Sequence, residues 1–263
     1  MIRSMQAALI KKDLRAVTDN KRTLTVLFIV PLMMTVVLPS IFIFAMGASS
    51  KDSGDLQNLL ALLPAGARIG SLSQMMAHLL LNNILPLFFL IIPVMVASVS
   101  AGSSFVGEKE KRTLETLLYS PLNLRQIFSA KVLASFILSM MVSLISFVLM
   151  LLVVEIETRL ALGFFMAPGI NWLVLLPLVS PAVALIAIIL IVRGSAKAQT
   201  VEEAQQKSVM LILPVVLLAS VQFSGIMLIG PWALLGLGAA LAVVALLALR
   251  GSVGKFQYET LLK

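Results

Sequence analysis

The stretch IFSAKVLASFILSMMVSLISFVLMLLVV, which runs from Ile127 to Val154, carries a single charged residue, Lys131. A helix crosses the hydrocarbon core of a bilayer with about 20 mostly apolar residues, so this stretch is long enough to span a membrane. Lys131 lies near its start, where a long side chain can extend its charge to the polar interface. The stretch therefore predicts a membrane-spanning helix.

Five further stretches share this apolar character. The predicted spans, in chain order, are Thr23–Met46, Leu79–Ser100, Ile127–Val154, Trp172–Val192, Val209–Ile229 and Trp232–Leu249. Only 12% of the chain is charged, against about 25% in soluble domains. We therefore predict an all-α polytopic membrane protein with about six transmembrane helices in residues 23–250. Prolines inside the spans predict kinks or broken helices; they are Pro31, Pro39, Pro86, Pro93, Pro177, Pro181 and Pro214.

The positive charges are distributed unequally between the two sides of the predicted membrane. With the N-terminus inside, the inner segments hold seventeen Lys and Arg residues and the outer segments hold three, Lys51, Arg68 and Arg159. Such an excess marks the cytoplasmic side. Both termini are therefore predicted to be cytoplasmic, in a multi-pass protein of the cell membrane. Topology thereby explains the net charge of +8, and we expect no nucleic-acid partner.

Residue types exclude several chemistries. The chain has no cysteine and one histidine, His78, which excludes disulfides, Cys nucleophiles and Cys-rich or His-rich metal sites. The phosphate-binding pattern GxxxxGK[ST] is absent, because the stretch GSVGKF at 251–256 has the wrong spacing. We therefore expect no catalytic residue, no metal, no cofactor and no ATPase activity on this chain.

Residues 1–22 have Ile2, Met5 and Leu9 at helical spacing on one side and basic residues elsewhere. This pattern is typical of a cytoplasmic helix that lies in the membrane interface beside anionic lipid. A solvated basic tail is the alternative.

Three other segments lie outside the predicted spans. Residues 47–78 form the longest predicted outer loop, and residues 251–263 form a cytoplasmic tail. In the second outer loop, 155–169, Glu155 and Arg159 are four residues apart and are predicted to pair on a helix.

The stretch GEKEKRTLETLLYSP, at 107–121, interrupts the apolar pattern. Glu108 precedes Arg112 by four residues, and Lys111 lies four residues before Glu115, so both pairs have helical ion-pair spacing. One apolar stripe is formed by Leu114, Leu117 and Leu118. Pro121 predicts the end of this helix.

Asn123 then has the character of an N-cap, with Gln126 at the third helical position. The loop 101–126 is thus predicted to hold a short amphipathic helix, a sharp break and a new helix that enters the third span. A docking element for a partner would explain this order. The alternative is a leucine stripe that packs under the spans, with its charges in water.

The longer stretch GEKEKRTLETLLYSPLNLRQIFSAKVL resembles the cytoplasmic loop of the type-2 ABC exporter permeases, most closely the branch of the sodium-export permeases. The residues that carry this resemblance are Glu108, Glu110, Thr113, Leu114, Glu115, Leu117, Leu118, Ser120, Pro121 and Lys131. The second cytoplasmic loop, AKAQTVEEAQQKS, resembles the same branch through Lys197, Glu202, Ala204 and Gln205.

The resemblance implies a permease subunit that dimerises, each copy docking on a separate ATPase subunit that binds ATP and Mg. The helix at 107–121 would be the coupling helix seated in a groove of that ATPase. The implied coupling residues are Glu108, Glu110, Arg112, Thr113, Leu114, Glu115, Leu117, Leu118, Ser120 and Pro121 in the first loop, and Lys197, Glu202, Glu203 and Gln205 in the second. The implied action is ATP-driven export, with sodium, peptides, drug-like molecules and lipids all open as cargo.

Charged residues inside spans usually mark ion paths, and none lies in the middle of a predicted span. The polar candidates for a transport path are Asn82, Asn83 and Gln222. Interhelical hydrogen bonding is the alternative role for them. A stand-alone secondary transporter and a membrane scaffold remain alternatives to the ABC permease.

Overall fold

The structure is a computed structural model that describes residues 2–48, 72–110, 122–195, 198, 200–223 and 230–255. Within these ranges the chain forms eight helices and no strand, which confirms the predicted all-α class. The helices are α1 (Ile2–Thr18), α2 (Lys21–Leu32, Met33–Val37 and Leu38–Ala48), α3 (Leu72–Leu79, Leu80–Ile84 and Leu85–Phe89), α4 (Ile91–Glu110), α5 (Leu124–Leu162), α6 (Ile170–Val174, Leu175–Val179 and Ser180–Ser195), α7 (Val201–Phe223) and α8 (Pro231–Lys255).

Five segments of the described chain are long and apolar enough to cross a membrane. They are Thr23–Ala45, Gln74–Glu110, Leu124–Leu162, Ile170–Ser195 and Pro231–Ser252. These segments correspond to the first, second, third, fourth and sixth predicted spans. The first part of the fifth predicted span, Val209–Ile229, lies in α7. Its last residues, 224–229, lie outside the described residues.

α4 and α5 extend furthest past the predicted ends of their spans. α4 continues to Glu110 instead of ending at Ser100, and α5 continues to Leu162 instead of ending at Val154. The predicted loop 101–126 therefore begins as helix, and much of the predicted second outer loop is helical. At 1.5 Å per residue, α5 is about 58 Å long, well beyond the hydrocarbon thickness of about 30 Å. Gly163, with φ of 73°, occupies the left-handed conformation that ends α5.

Three five-residue π-helical segments interrupt α2, α3 and α6, and each ends two residues before a proline. The pairs of segment and proline are Met33–Val37 with Pro39, Leu80–Ile84 with Pro86, and Leu175–Val179 with Pro181. Proline has no N–H, and its ring clashes with the carbonyl four residues earlier. A locally wider turn relieves that clash. At these prolines the disruption takes the form of a π-helical turn within a helix that continues, whereas Pro214 lies inside regular α7.

α4 and α6 form the centre of the bundle. α4 packs against α5, α6 and α7, while α8 packs on the outer side of α6. α8 approaches α6 closely at Gly238, where an added Cβ would lie 2.9 Å from Leu178 Cδ2. The outward faces of α5 and α8 expose large apolar side chains such as Leu144, Leu152 and Leu247. A bundle with an apolar perimeter is suited to a lipid environment.

α1 is a helix, as predicted, and it packs on the bundle. Buried Leu9 lies against Ile127 and Ala130 of α5. Val17, near the end of α1, belongs to the main apolar core. This packing contradicts the alternative of a solvated tail.

Candidate functional site

A group of polar and charged side chains joins three helices at one end of the bundle, here called the near end. This ion cluster consists of Lys12 and Asp13 of α1, Ser104 and Glu108 of α4, and Lys131 of α5. Lys131 is only 2% exposed. Its Nζ atom lies 2.8 Å from Glu108 Oε2 and 3.7 Å from Asp13 Oδ2, and it donates to the Ser104 carbonyl at 2.5 Å.

The remaining bonds close the ion cluster. Ser104 Oγ donates to Asp13 Oδ2 at 2.6 Å, and Lys12 Nζ donates to Glu108 Oε1 at 2.6 Å. Two cations thus balance two carboxylates, the compensation that buried charges require. The expectation that Lys131 extends to the interface is wrong, because fixed carboxylates of α1 and α4 surround its ammonium inside the bundle.

The ion cluster lies where the first cytoplasmic loop leaves and re-enters the bundle. Glu108 is in the last turn of α4, and Glu110 ends that helix in an exposed position. The other predicted coupling residues of this loop, Arg112, Thr113, Leu114, Glu115, Leu117, Leu118, Ser120 and Pro121, lie outside the described residues. The structure pairs Glu108 with Lys12 and Lys131, which are distant in sequence.

The re-entry point of the loop is capped as predicted. Asn123 precedes α5 and forms a capping box with Gln126, whose side chain accepts the Asn123 N–H at 3.0 Å. Such a cap satisfies backbone donors that the first turn leaves without partners. The start of α5 is therefore determined by local sequence.

A cavity of about 390 Å³ opens at the near end between α2, α4 and α7. Its lining residues are Asn20, Thr23, Val26, Val99, Ser103, Gly107, Glu110, Val201, Glu202 and Gln205. The cavity thus brings Glu110 of the first loop together with Glu202 and Gln205 of the second. Glu203 is exposed, and its N–H bonds to Thr200 Oγ1 at 3.2 Å. Lys197 lies outside the described residues.

Close packing of α7 on α4 shapes this cavity. An added Cβ at Gly102 would lie 3.2 Å from Val201 Cγ1. A side chain at this position would push the two helices apart. The two predicted cytoplasmic loops are therefore adjacent because α4 presents a glycine to α7.

At the opposite end of the bundle, here called the far end, Asn82 joins α3 to α6. It is 4% exposed, and its Oδ1 accepts the Gly169 N–H at 2.5 Å. Its backbone carbonyl accepts from Asn171 Nδ2 at 2.6 Å. Asn82 therefore makes interhelical hydrogen bonds, the alternative role considered for it. Asn83 is half-buried beside it and Gln222 is buried near the end of α7, and a transport path lined by these residues stays a prediction.

Sequence reasoning missed three members of the ion cluster: Lys12, Asp13 and Ser104. One signal was available, because Asp13 is the only acidic residue among residues 1–18. A carboxylate in such a helix needs a compensating cation where it is buried. Within the described residues, no group of three or more His, Cys, Asp or Glu side chains could hold a metal ion.

The apolar segments, the lipid-suited perimeter and the long helices define a multi-pass α-helical membrane protein. The model of the family described as ABC-2 family transporter protein matches residues 7–255. The chain belongs to this family. It is a permease component of an ABC transporter, a membrane subunit that is not itself an ATPase, and proteins of this family normally work with an ABC ATPase partner. No curated protein and no solved structure matches the chain.

Proposed function

We propose that this chain is the permease subunit of an ATP-driven exporter that moves its cargo by alternating access. A separate ATPase subunit, which binds ATP and Mg, docks on the segment 107–121, whose first residues, 107–110, form the last turn of α4. The observation that carries this proposal is the ion pair between Glu108 and Lys131. This pair bonds α4, which precedes the loop 111–121, to α5, which follows it. A force applied to the loop is then transmitted to α4 and α5 together.

The ion cluster also bonds α1 to α4 and α5, so a force applied to the loop reaches α1 as well. Separating Lys131 from Asp13 would leave the buried Asp13 carboxylate without a cation, at a cost of several kcal/mol. The three helices are therefore expected to move as one body when the ATPase subunits close. Helices held by neutral contacts of similar area would separate at a lower cost in free energy.

The near end is cytoplasmic in this proposal, as the excess of positive charge predicts. The ATPase then meets the loop 111–121 together with the exposed carboxylates of Glu110, Glu202 and Glu203. A second copy of the permease completes the transporter, and anionic lipid lies beside the basic residues of α1. Sodium is the cargo that the loop resemblance suggests, and ATP-driven flux of radioactive sodium into inverted vesicles is its direct test.

The docking site is tested by co-purification of an ABC ATPase after gentle detergent extraction. The variant Glu115→Arg/Leu118→Asp reverses one charge and disrupts the apolar stripe of the loop. The control, Glu155→Arg/Arg159→Glu, exchanges the charges of the far-end ion pair that the structure contains. We expect the loop variant to retain about tenfold less ATPase, a loss of about 1.4 kcal/mol of binding, and the control to match wild type.

Two outcomes contradict the proposal. Absence of any ATPase from the wild-type preparation would favour a stand-alone secondary transporter or a scaffold. Equal ATPase recovery with the loop variant would place the docking surface elsewhere on the chain.

A further inference from the structure

At the far end, Pro86 leaves two backbone carbonyls of α3 without their ordinary partner. Because proline has no N–H, Pro86 can serve neither the carbonyl four residues earlier, in Asn82, nor the one five residues earlier, in Leu81. The neighbouring Leu85 N–H bonds to the carbonyl of Leu80. Buried carbonyls are costly without a donor. They therefore require donors from another helix.

Two consecutive residues of α6 supply those donors. Asn171 Nδ2 donates to the Asn82 carbonyl at 2.6 Å, and Trp172 Nε1 donates to the Leu81 carbonyl at 2.9 Å. Both side chains are buried, and the Trp172 side chain is only 1% exposed. The dipeptide Asn171–Trp172 thus complements the defect that Pro86 creates about ninety residues earlier.

A third bond runs in the opposite direction. Asn82 Oδ1 accepts the N–H of Gly169, the N-cap residue of α6, at 2.5 Å. An added Cβ at Gly169 would lie 3.0 Å from Asn82 Cγ, so only glycine allows this approach without displacement. The start of α6 is thereby held against the π-helical segment of α3.

Aromatic rings pack against Trp172. The Trp172 ring lies 5.3 Å from the Phe89 ring and 5.0 Å from the Phe147 ring, measured between centroids. The contact therefore includes α5 as well as α3 and α6. We name the set Leu81, Asn82, Pro86, Gly169, Asn171 and Trp172 the proline interlock.

We propose that the proline interlock is the far-end closure of the permease, and that Asn171 and Trp172 are positioning residues that hold it shut in the present state. The inference rests on the proposed function, because alternating access requires the far end to part once per cycle. The interlock is suited to this role. Each of its bonds joins a side chain to a backbone group, either a carbonyl of α3 or the N–H of Gly169. These backbone groups take no part in the hydrogen bonds within α3 or α6. The interlock bonds can therefore break without unwinding either helix.

The two ends of the bundle differ in the chemistry that holds them. The near end is held by buried ions, whose separation leaves uncompensated charge. At the far end, the contact between α3 and α6 is held by neutral hydrogen bonds, which water can replace once the two helices part. This asymmetry favours motion at the far end while the near end stays intact.

The test uses the absence of native cysteine. In the variant Asn82→Cys/Gly169→Cys, the two Cβ atoms would lie 3.4 Å apart, close to the separation of about 3.5–4.5 Å found in disulfides. Oxidative crosslinking is measured in the purified complex with its ATPase, without nucleotide and with ATP plus vanadate. Gly169→Cys alone controls for crosslinks between copies. We expect rapid crosslinking without nucleotide and a rate about fivefold lower with trapped nucleotide, as the closed state is depopulated.

The result that overturns the inference is equal crosslinking in both nucleotide states in a complex that hydrolyses ATP. In that case the proposed function stands and the interlock is a static contact. If no ATPase co-purifies, the proposed function fails and the inference falls with it. The two failures are therefore distinguishable in one preparation.

A second variant keeps all three hydrogen-bonding residues. Pro86→Ala restores the missing N–H, so α3 can satisfy the Asn82 carbonyl internally and compete with Asn171. Alanine is a good helix former, so folding is expected to be preserved. We expect ATP hydrolysis by the complex to rise about threefold, because the far end parts more readily. If Pro86→Ala changes neither the rate of ATP hydrolysis nor the rate of crosslinking, the interlock is a packing contact and not a closure.

Discussion

Lys131 Nζ lies 2.8 Å from Glu108 Oε2, so the first turns of α5 are bonded to the last turn of α4. These residues stand on the two sides of the loop 111–121. Their pairing bonds α4 to α5 directly, so the ends of the two helices that flank this loop cannot move independently. In a family whose members normally work with an ABC ATPase, such a joint is suited to transmitting force.

Removal of the buried cation should destabilise the fold. In Lys131→Met, Asp13 loses its cation and Glu108 keeps only Lys12, so we expect a loss of about 3 kcal/mol in the free energy of unfolding. Unfolding by SDS in mixed micelles measures this change. Lys11→Met removes an exposed cation of α1 and is the matched control, with an expected effect within about 0.5 kcal/mol.

The physical cause of that loss can be separated from lost packing. The triple variant Lys131→Met/Glu108→Gln/Asp13→Asn removes the uncompensated carboxylates as well, and neutral replacement of a buried ion group is often tolerated. We expect it to recover most of the lost stability. A triple variant as unstable as Lys131→Met would show that charge compensation is not the cause.

The predicted topology can be tested on the same cysteine-free chain. Lys11→Cys and Arg159→Cys place single thiols at exposed positions of the near and far ends. Because the near end carries the excess of positive charge, it should face the cytoplasm. A membrane-impermeant maleimide should label intact cells of Arg159→Cys only, and should label Lys11→Cys after permeabilisation. The reverse pattern would invert the topology and place the ATPase-docking loop outside.

Two glycines of α8 should differ sharply in their tolerance of a side chain. A Cβ at Gly238 would lie 2.9 Å from Leu178 Cδ2, whereas a Cβ at Gly236 would meet no atom within 4 Å. Overpacking of this kind costs about 1–3 kcal/mol, so Gly238→Val should lower the free energy of SDS unfolding by that amount. Gly236→Val should leave it nearly unchanged. Equal effects would show that α8 does not pack on α6 through this face.

Features that depend on neighbouring residues could be predicted from the sequence. The N-cap at Asn123 uses Gln126, and the pair of Glu155 and Arg159 lies within one turn of helix. The helix breaks also follow local covalent chemistry, because each described π segment precedes a proline. Pro86 indicates where α3 lacks a backbone hydrogen bond. Nothing near Pro86 in the sequence shows which residues donate to the carbonyls that it leaves without a partner.

The positions of the ion cluster and of the interlock could not be predicted in the same way. Lys131 and Asp13 meet across 118 positions, and Asn82 and Asn171 meet across 89. A lysine at the start of a span is stable either in the interface or inside the bundle. Only the approach of a carboxylate from another helix determines which environment has the lower free energy.

By itself, the sequence determined the membrane class, most of the spans, the helix breaks and the cap of α5. Each depends on local composition or on the missing N–H of proline. Tertiary structure alone decided that α4 and α5 continue past their predicted ends and that Lys131 is buried. It also decided that Asn171 and Trp172 donate hydrogen bonds to the carbonyls of α3 that Pro86 leaves without a partner. The physical reason is that buried charges and unpaired carbonyls are stable only with a compensating partner, and these partners come from distant parts of the chain.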